Sequence, residues 1–274
     1  MAWELEDAVV KATPSPRTRA SLASDLRALG VGQGAPILVH SSLRSLGWVA
    51  GNAVAVVQAL MDVVTPEGTL MMPTFTAGNS DPAGWMAPPV PAEWVPEIRA
   101  SMPGFDPRYS PSSGVGAVPE VFRSFPGVVR SGHPFVSFAA WGRDAASLVE
   151  KHSLENCLGE ESPLGELYRR DGRVLFLGTG YATCTSFHLA EYRAAGSPRR
   201  MRGAAVVVEG RQEWREYADI ELEEGFFADI GAAMEGESPV RMGRVGSAQC
   251  RFFAVRPAVD FAVRWLNEQR SQAQ

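Results

Sequence analysis

The chain has 274 residues, with 26 Lys+Arg against 31 Asp+Glu and a formal net charge of −5. Hydrophobic residues make up 45 % and charged residues 21 %, a balance that supports a globular core and excludes a disordered or coiled-coil chain. No apolar run reaches the roughly 18 residues a membrane helix needs, and the acidic start Met1-Ala2-Trp3-Glu4 lacks the basic region of a signal peptide. A pI near 5.5 disfavours nucleic acid as the main partner, because phosphate binding needs a basic surface. The cytosol is the expected address. Cys157, Cys184 and Cys250 are widely spaced and form no C-x-x-C pair, which argues against a disulfide framework and a structural zinc site.

In chain order, the first predicted element is a helix over 16–29. Ser15 caps it, Pro16 suits its first turn, Leu22, Leu26 and Leu29 share a face, and Gly30 stops it. The run Ile37-Leu38-Val39-His40-Ser41 follows Gly/Pro punctuation and reads as a buried strand. Asn52 caps a helix that continues to Val63 or Val64, and Thr69-Leu70-Met71-Met72 is a second buried strand. Strand, helix, strand predicts a βαβ unit and a parallel pair. Residues 77–111 are the most Pro-rich stretch and too long for an ordinary connection. Trp85, Trp94, Phe105 and Tyr109 give the stretch side chains to pack, so it is expected to be a lid or binding loop and not a disordered linker.

A helix follows over 115–125, with Val118, Val121, Phe122 and Phe125 on one face, and then a strand over 135–141. Residues 174–177 are the clearest buried strand of the second half, followed by Gly178-Thr179-Gly180 and a helix from about Thr185. Strands over 205–208 and 251–255 and a helix over 257–270 complete the pattern. No repeat or composition break divides the chain. The expectation is one α/β domain over 1–274, with a mixed or largely parallel sheet and flanking helices.

Standard motifs are absent: there is no P-loop, no complete G-x-G-x-x-G, no H-E-x-x-H and no G-x-S-x-G. The four histidines are too far apart in sequence to suggest a metal pair, so no metal is expected. Two constellations remain. In the first, Val39-His40-Ser41-Ser42-Leu43-Arg44-Ser45-Leu46-Gly47 leaves a buried strand as a loop rich in small polar residues. Its backbone N–H groups and hydroxyls suit an anion, and ligands of open α/β sheets gather at that edge. A plain strand-to-helix turn with capping serines is the alternative.

The second constellation is Thr183-Cys184-Thr185-Ser186-Phe187-His188-Leu189-Ala190-Glu191. His188 and Glu191 are three apart and share a helical face. The positive end of that helix would keep the imidazole neutral, which suits a general base near pH 7; a structural histidine is the plainer alternative. Cys184 raises the rival idea of a Cys–His nucleophilic pair, and a small buried thiol is the simpler reading.

The chain resembles the aminoglycoside 3-N-acetyltransferase family. The resemblance rests on the 39–47 segment, Pro73-Thr74-Phe75-Thr76, Arg130-Ser131-Gly132-His133-Pro134 with Ser137-Phe138, Ser162-Pro163-Leu164-Gly165, Thr185 to Glu191, and the ending from Gly246 to Leu266. It implies an α/β fold distinct from that of the GNAT acetyltransferases, with the coenzyme A of acetyl-CoA beside the serine-rich loop (His40, Ser41, Ser42, Leu43, Arg44, Ser45, Leu46 and Gly47). It also implies that His188, in the family's Thr-x-x-His-x-x-Glu position, is the catalytic base in a direct acetylation of the 3-amino group of 2-deoxystreptamine antibiotics, a resistance activity.

Glu191, or a carboxylate of the acidic stretch 219–224 such as Glu221 or Glu223, is expected to orient that base by the logic of a triad. A backbone N–H or a hydroxyl, with Thr74 a contributor, is expected to face the carbonyl oxygen. Asp81, Glu221, Glu223 and Glu224 are expected to line a negative cleft for a polycationic substrate. The alternatives are an acetyltransferase of the same fold acting on another amine metabolite, and a non-catalytic CoA- or drug-binding protein.

Overall fold

A computed structural model describing residues 2–272 pairs the apolar runs into a seven-stranded mixed sheet. Helices α1 (Ala2–Ala12) and α2 (Arg19–Leu29) lead into β1 (Ile37–Ser41), and α3 (Asn52–Val64) crosses to β2 (Thr69–Pro73). Helices α4 (Val95–Ser101) and α5 (Ala117–Phe122) precede β3 (Val129–Arg130) and β4 (Phe138–Gly142). Helices α6 (Ala145–Val149) and α7 (Pro163–Arg169) precede β5 (Arg173–Leu177) and α8 (Ser186–Arg193). Strands β6 (Arg199–Val208) and β7 (Arg211–Ile220) form a separate antiparallel ribbon. Helix α9 (Phe227–Met234), β8 (Val240–Val245), β9 (Ala248–Ala254) and α10 (Val255–Gln272) follow.

The strand order is β3-β4-β2-β1-β5-β9-β8. Strand β1 runs parallel to both β2 and β5, so the predicted βαβ unit is present, and the outer pairings are antiparallel. The central strands read as continuous apolar runs because both of their faces are covered. Leu38, Val174 and Phe176 pack into one core with Phe138, Phe187 and Val259. Ile37, Val39, Leu175 and Leu177, one residue out of phase, pack into the other with Leu22, Leu26, Val57 and Leu60. Each fully buried side chain of this kind contributes about 1.5–3 kcal/mol relative to exposure.

Several boundaries differ from the sequence expectation, each for a physical reason. Helix α2 starts at Arg19, because Arg17 is held extended by backbone bonds to Trp48 and Ala50 (2.9 and 2.8 Å). That leaves Thr18, not Ser15, to form a capping box with Ser21. Gly51, at φ 89°, caps α3 in place of Asn52. The predicted strand over 205–208 is the end of ten-residue β6, and its partner β7 was not expected. Glu209 and Gly210 join them with φ 50° and 78°, the backbone of a two-residue type I′ hairpin turn. Residues 77–111 are built of short turns and α4 and pack on this ribbon. Asn79 Nδ2 and the Phe105 N–H both donate to the Ala205 carbonyl at 3.0 Å, and Arg99 lies over Trp214. Among the described residues, no helix is long and apolar enough to cross a membrane.

Candidate active site

After β5 the chain turns through Tyr181–Thr183 and enters α8, which carries His188 two residues beyond its first residue. His188 and Glu191 are each 2 % exposed, and the imidazole Nδ1 lies 2.5 Å from Glu191 Oε2. The other carboxylate oxygen, Oε1, accepts the backbone N–H of Glu223 at 2.7 Å. The segment 221–226, which links β7 to α9, thereby brings Glu224 Oε1 to 3.5 Å from His188 Nε2. Phe227 closes the site with its ring 4.8 Å from the imidazole. Burial alone would lower the His188 pKa, but hydrogen bonds to Glu191 and Glu224 outweigh it and raise the pKa above the usual histidine value. The same contact holds Glu224 below the usual carboxylate range. The sequence expectation of an imidazole kept neutral by the helix end is therefore corrected: two carboxylates dominate the local field.

Glu224 also lines a cleft of about 650 Å³, together with residues 40–45 at the carboxyl end of β1, Phe75, 114–116, Thr179, Thr183 and Thr185. The Ser42 N–H bonds to the Leu177 carbonyl at 2.9 Å, and the Ser45 hydroxyl donates to Ser42 Oγ at 2.8 Å. Residues Arg44–Leu46 form a single 3₁₀ turn, in which the Ser45 and Leu46 N–H groups donate to the Ser42 and Leu43 carbonyls at 3.1 and 3.2 Å. Gly178 permits the close approach of this loop. It sits at φ +76°, and a Cβ there would stand 2.6 Å from Ser45 Cβ. Arg44 is exposed, and among the described residues no carboxylate pairs with it. Ser41 Oγ and His40 Nε2 are buried with no hydrogen-bond partner among the described residues. Burial, assisted by the nearby charge of His188, lowers the His40 pKa to about 3, so this imidazole is neutral.

The structure does not bring every expected residue to the cleft. Leu46 is fully buried, and Gly47 faces Thr13 and Ser247 on the far side of the loop. The Thr74 hydroxyl is buried between the Ser137 carbonyl, to which it donates at 3.1 Å, and Arg130 Nε, from which it accepts at 3.1 Å. It is consumed by the fold. Glu221 is exposed beside Arg200 at 3.4 Å, and Glu223 reaches Glu191 through its backbone alone. Asp81 is bound by both arms of Arg99 (3.1 and 2.7 Å) and lines a separate cavity of about 360 Å³ with Arg200 and Tyr217. Cys184 Sγ lies 3.2 Å from Ser186 Oγ, and burial pushes its thiol up to about 12. Its hydrogen-bond partner is thus Ser186, while both His188 nitrogens face carboxylates.

Thr185 has no role that its place in the sequence pattern alone assigns. It is the N-cap of α8 yet makes no capping bond, and it lines the cleft three residues ahead of His188.

Residues 38–267 match the family model for aminoglycoside 3-N-acetyltransferase. The chain is 50 % identical over 259 residues to the SPbeta prophage-derived aminoglycoside N(3')-acetyltransferase-like protein YokD of Bacillus subtilis, covering 94 % of this chain and 95 % of that one. The YokD crystal structure superposes with a TM-score of 0.95, over 97 % of this chain and 99 % of that one. Aminoglycoside N(3)-acetyltransferase VII of Streptomyces paromomycinus is 37 % identical over 279 residues, covering 96 % of each chain. A binary structure of AAC-IIIb with CoASH is 31 % identical, with a TM-score of 0.82 over 93 % of this chain and 98 % of that one. Sequence and fold agree along nearly the whole length, and the chain belongs to the aminoglycoside 3-N-acetyltransferase family.

Proposed function

We propose that the chain transfers the acetyl group of acetyl-CoA to the 3-amino group of a 2-deoxystreptamine aminoglycoside, with His188 as general base, and so confers resistance to such drugs. The observation that carries this reading is a buried imidazole held at Nδ1 by Glu191 and met at Nε2 by an exposed carboxylate, Glu224, that also lines the cleft. Acetyl-CoA supplies the acyl thioester. The exposed Arg44, with no carboxylate partner among the described residues, suits its phosphates. A cleft of about 650 Å³ lies within the usual ligand-site range of about 300–1,000 Å³. The relative AAC-IIIb was solved with CoASH.

An aminoglycoside amine arrives as an ammonium, and Glu224 is the carboxylate at hand to receive it. That contact offsets part of the negative charge that raises the His188 pKa, so substrate binding itself favours the neutral imidazole. Nε2 then takes the amine proton while Nδ1–H stays on Glu191, which fixes the tautomer and stabilises the imidazolium. As the N–C bond forms and the C–S bond breaks, the imidazolium passes that proton to the departing thiolate and the acylated nitrogen releases its second proton to solvent, so ammonium and acetyl-CoA give amide, CoASH and one proton. Thr185, whose hydroxyl the helix does not use, is the donor for the carbonyl oxygen in place of Thr74. Direct transfer follows because the one thiol near His188 in sequence, Cys184, is buried and held protonated.

Thiol release from acetyl-CoA, assayed against gentamicin-, kanamycin- and neomycin-type drugs, tests the reading. Turnover is expected, with His188→Ala lowering kcat by roughly 10²-fold or more in a folded protein. Turnover confined to other amines would transfer the assignment to a different acceptor. Near-wild-type kcat in His188→Ala would end the role of the base.

A further inference from the structure

Asp219, at the end of β7, is fully buried (0 % exposed) and makes no ion pair within 4 Å among the described residues. Its carboxylate is met by neutral donors from three places. The Tyr192 hydroxyl lies 2.8 Å from both oxygens, the Cys157 N–H is at 3.1 Å, and the Ile220 N–H is at 2.8 Å. Tyr192 follows Glu191 directly on α8, so this contact hooks the end of β7 to the helix that carries the base.

Beyond that hook the chain is pinned again. The Glu221 N–H donates to the Pro198 carbonyl at 2.7 Å, the Glu223 N–H donates to Glu191 Oε1, and Glu224 reaches His188. The whole link from Asp219 to Glu224, which meets the base, is thus six residues long. A buried carboxylate with no cation in direct contact is costly to retain, and a neutral side chain would close the same gap at less cost.

We infer that Asp219 is a positioning residue for the base: by tying the root of the 220–224 segment to Tyr192 on α8, it sets where the Glu223 N–H meets Glu191 and where Glu224 meets His188. The inference rests on the proposed role of His188, and it deepens that role by extending the catalytic group through its support. The charged or titratable groups that face His188 are Glu191 from its own helix, Glu224 from the segment and the neutral His40 from β1. Around Asp219 stand Tyr192, Cys157, Tyr217 and the Arg202 guanidinium, which donates to the Ile220 carbonyl at 2.9 Å.

The test is the titration of the His188 imidazole, followed by NMR in the unliganded protein, in Asp219→Asn and Tyr192→Phe. Loosening the segment withdraws Glu224, so the midpoint is expected to fall in both variants, further in Asp219→Asn. In parallel, kcat should drop by about 10- to 10²-fold, while KM for acetyl-CoA stays within about twofold. A carboxylate that served the fold alone would lower Tm and leave the midpoint where it is; that result overturns the inference. If Asp219→Asn does not fold, Tyr192→Phe, which deletes a single hydroxyl, decides by the same midpoint. The NMR measurement needs no turnover, so an inactive wild type would refute the proposed acetylation without touching this result.

Discussion

Replacing Glu224 by Gln removes the carboxylate 3.5 Å from His188 Nε2 while keeping its size. Two unit charges at that separation interact by about 1 kcal/mol in the dielectric of water and about 5 kcal/mol at an effective dielectric near 20. The Glu224 side chain is 68 % exposed, which places the pair near the water limit. A loss of about 1 kcal/mol corresponds to somewhat less than one pH unit. The folded His188 pKa is raised by Glu191 and Glu224, so removing one carboxylate must move it down. The acidic limb of kcat/KM, which reports the base in the free enzyme, should shift toward lower pH by about 0.5–1 unit. Over the same series KM for the aminoglycoside should rise, because its ammonium loses a partner.

Rates measured between about pH 5.5 and 8.5 at saturating acetyl-CoA separate these effects. Glu191→Gln is the internal control. Glu191 is buried and 2.5 Å from Nδ1, so its shift should have the same sign and be larger. An acidic limb that stays in place, or moves up, in a folded Glu224→Gln enzyme would refute the electrostatic argument.

Two further outcomes are expected. Ser42→Trp, in the loop that lines the cleft, should raise the acetyl-CoA KM by about 10-fold, equivalent to about 1.4 kcal/mol, and affect aminoglycoside affinity far less; an unchanged KM would place the cofactor elsewhere. Acid should destabilise the fold through three histidines that burial holds neutral: His133, held well below the usual histidine value, His40 with a pKa of about 3 and His152 with a pKa of about 4. All three bind a proton near pH 6.5 only when unfolded, so their contribution is present above that pH and is lost on acidification, at about 2 kcal/mol each between pH 7 and 5. His188 runs the other way. Its raised pKa adds stability that is full below pH 6.5 and disappears as pH rises through the folded value, so it offsets part of the loss. Urea unfolding at the two pH values measures the net effect, and an unchanged midpoint would contradict the three burial assignments.

What the sequence made legible follows from how local each interaction is. Strands buried on both faces announce themselves as apolar runs, and the 3.6-residue repeat of Leu22, Leu26 and Leu29 marks a helix wherever its first turn lies. Its start is ambiguous in sequence because Ser15-Pro16 and Thr18 are both sound caps. The choice between them is made by a pairing of Arg17 with Trp48 and Ala50 far along the chain. Strand β7 escaped because Arg211, Glu213, Arg215 and Glu216 spread charge along an exposed ribbon and leave no clean two-residue apolar alternation. At the site, His188 and Glu191 were readable because i and i+3 share a helix face. Thr74 looked available because a hydroxyl carries no local sign of a partner 63 residues away. Choosing among Glu221, Glu223 and Glu224 depends on where β7 ends and how the next residues are pinned. Three neighbouring glutamates give no local basis for that.

The two carboxylates of His188 differ in the one property that the proposed chemistry needs. Glu191 is sealed, with one oxygen on the imidazole and the other on the Glu223 N–H. It cannot exchange partners without breaking both bonds, and so it suits a fixed role, holding the tautomer through the cycle. Glu224 is exposed on the cleft and its contact with Nε2 is loose, so it can leave the imidazole for a cationic ligand at little cost. In the free protein the pair favours imidazolium. When an ammonium occupies Glu224, the field at Nε2 loses part of its negative charge and a cation comes to stand beside the ring. Both changes favour release of the proton. A site with two sealed carboxylates would keep the histidine charged, and a site with Glu191 alone would have no means of sensing the acceptor. On this reasoning the base is made available by the arrival of the group it must deprotonate. The acidic limb of kcat should accordingly lie below that of kcat/KM in the wild-type enzyme and approach it in Glu224→Gln.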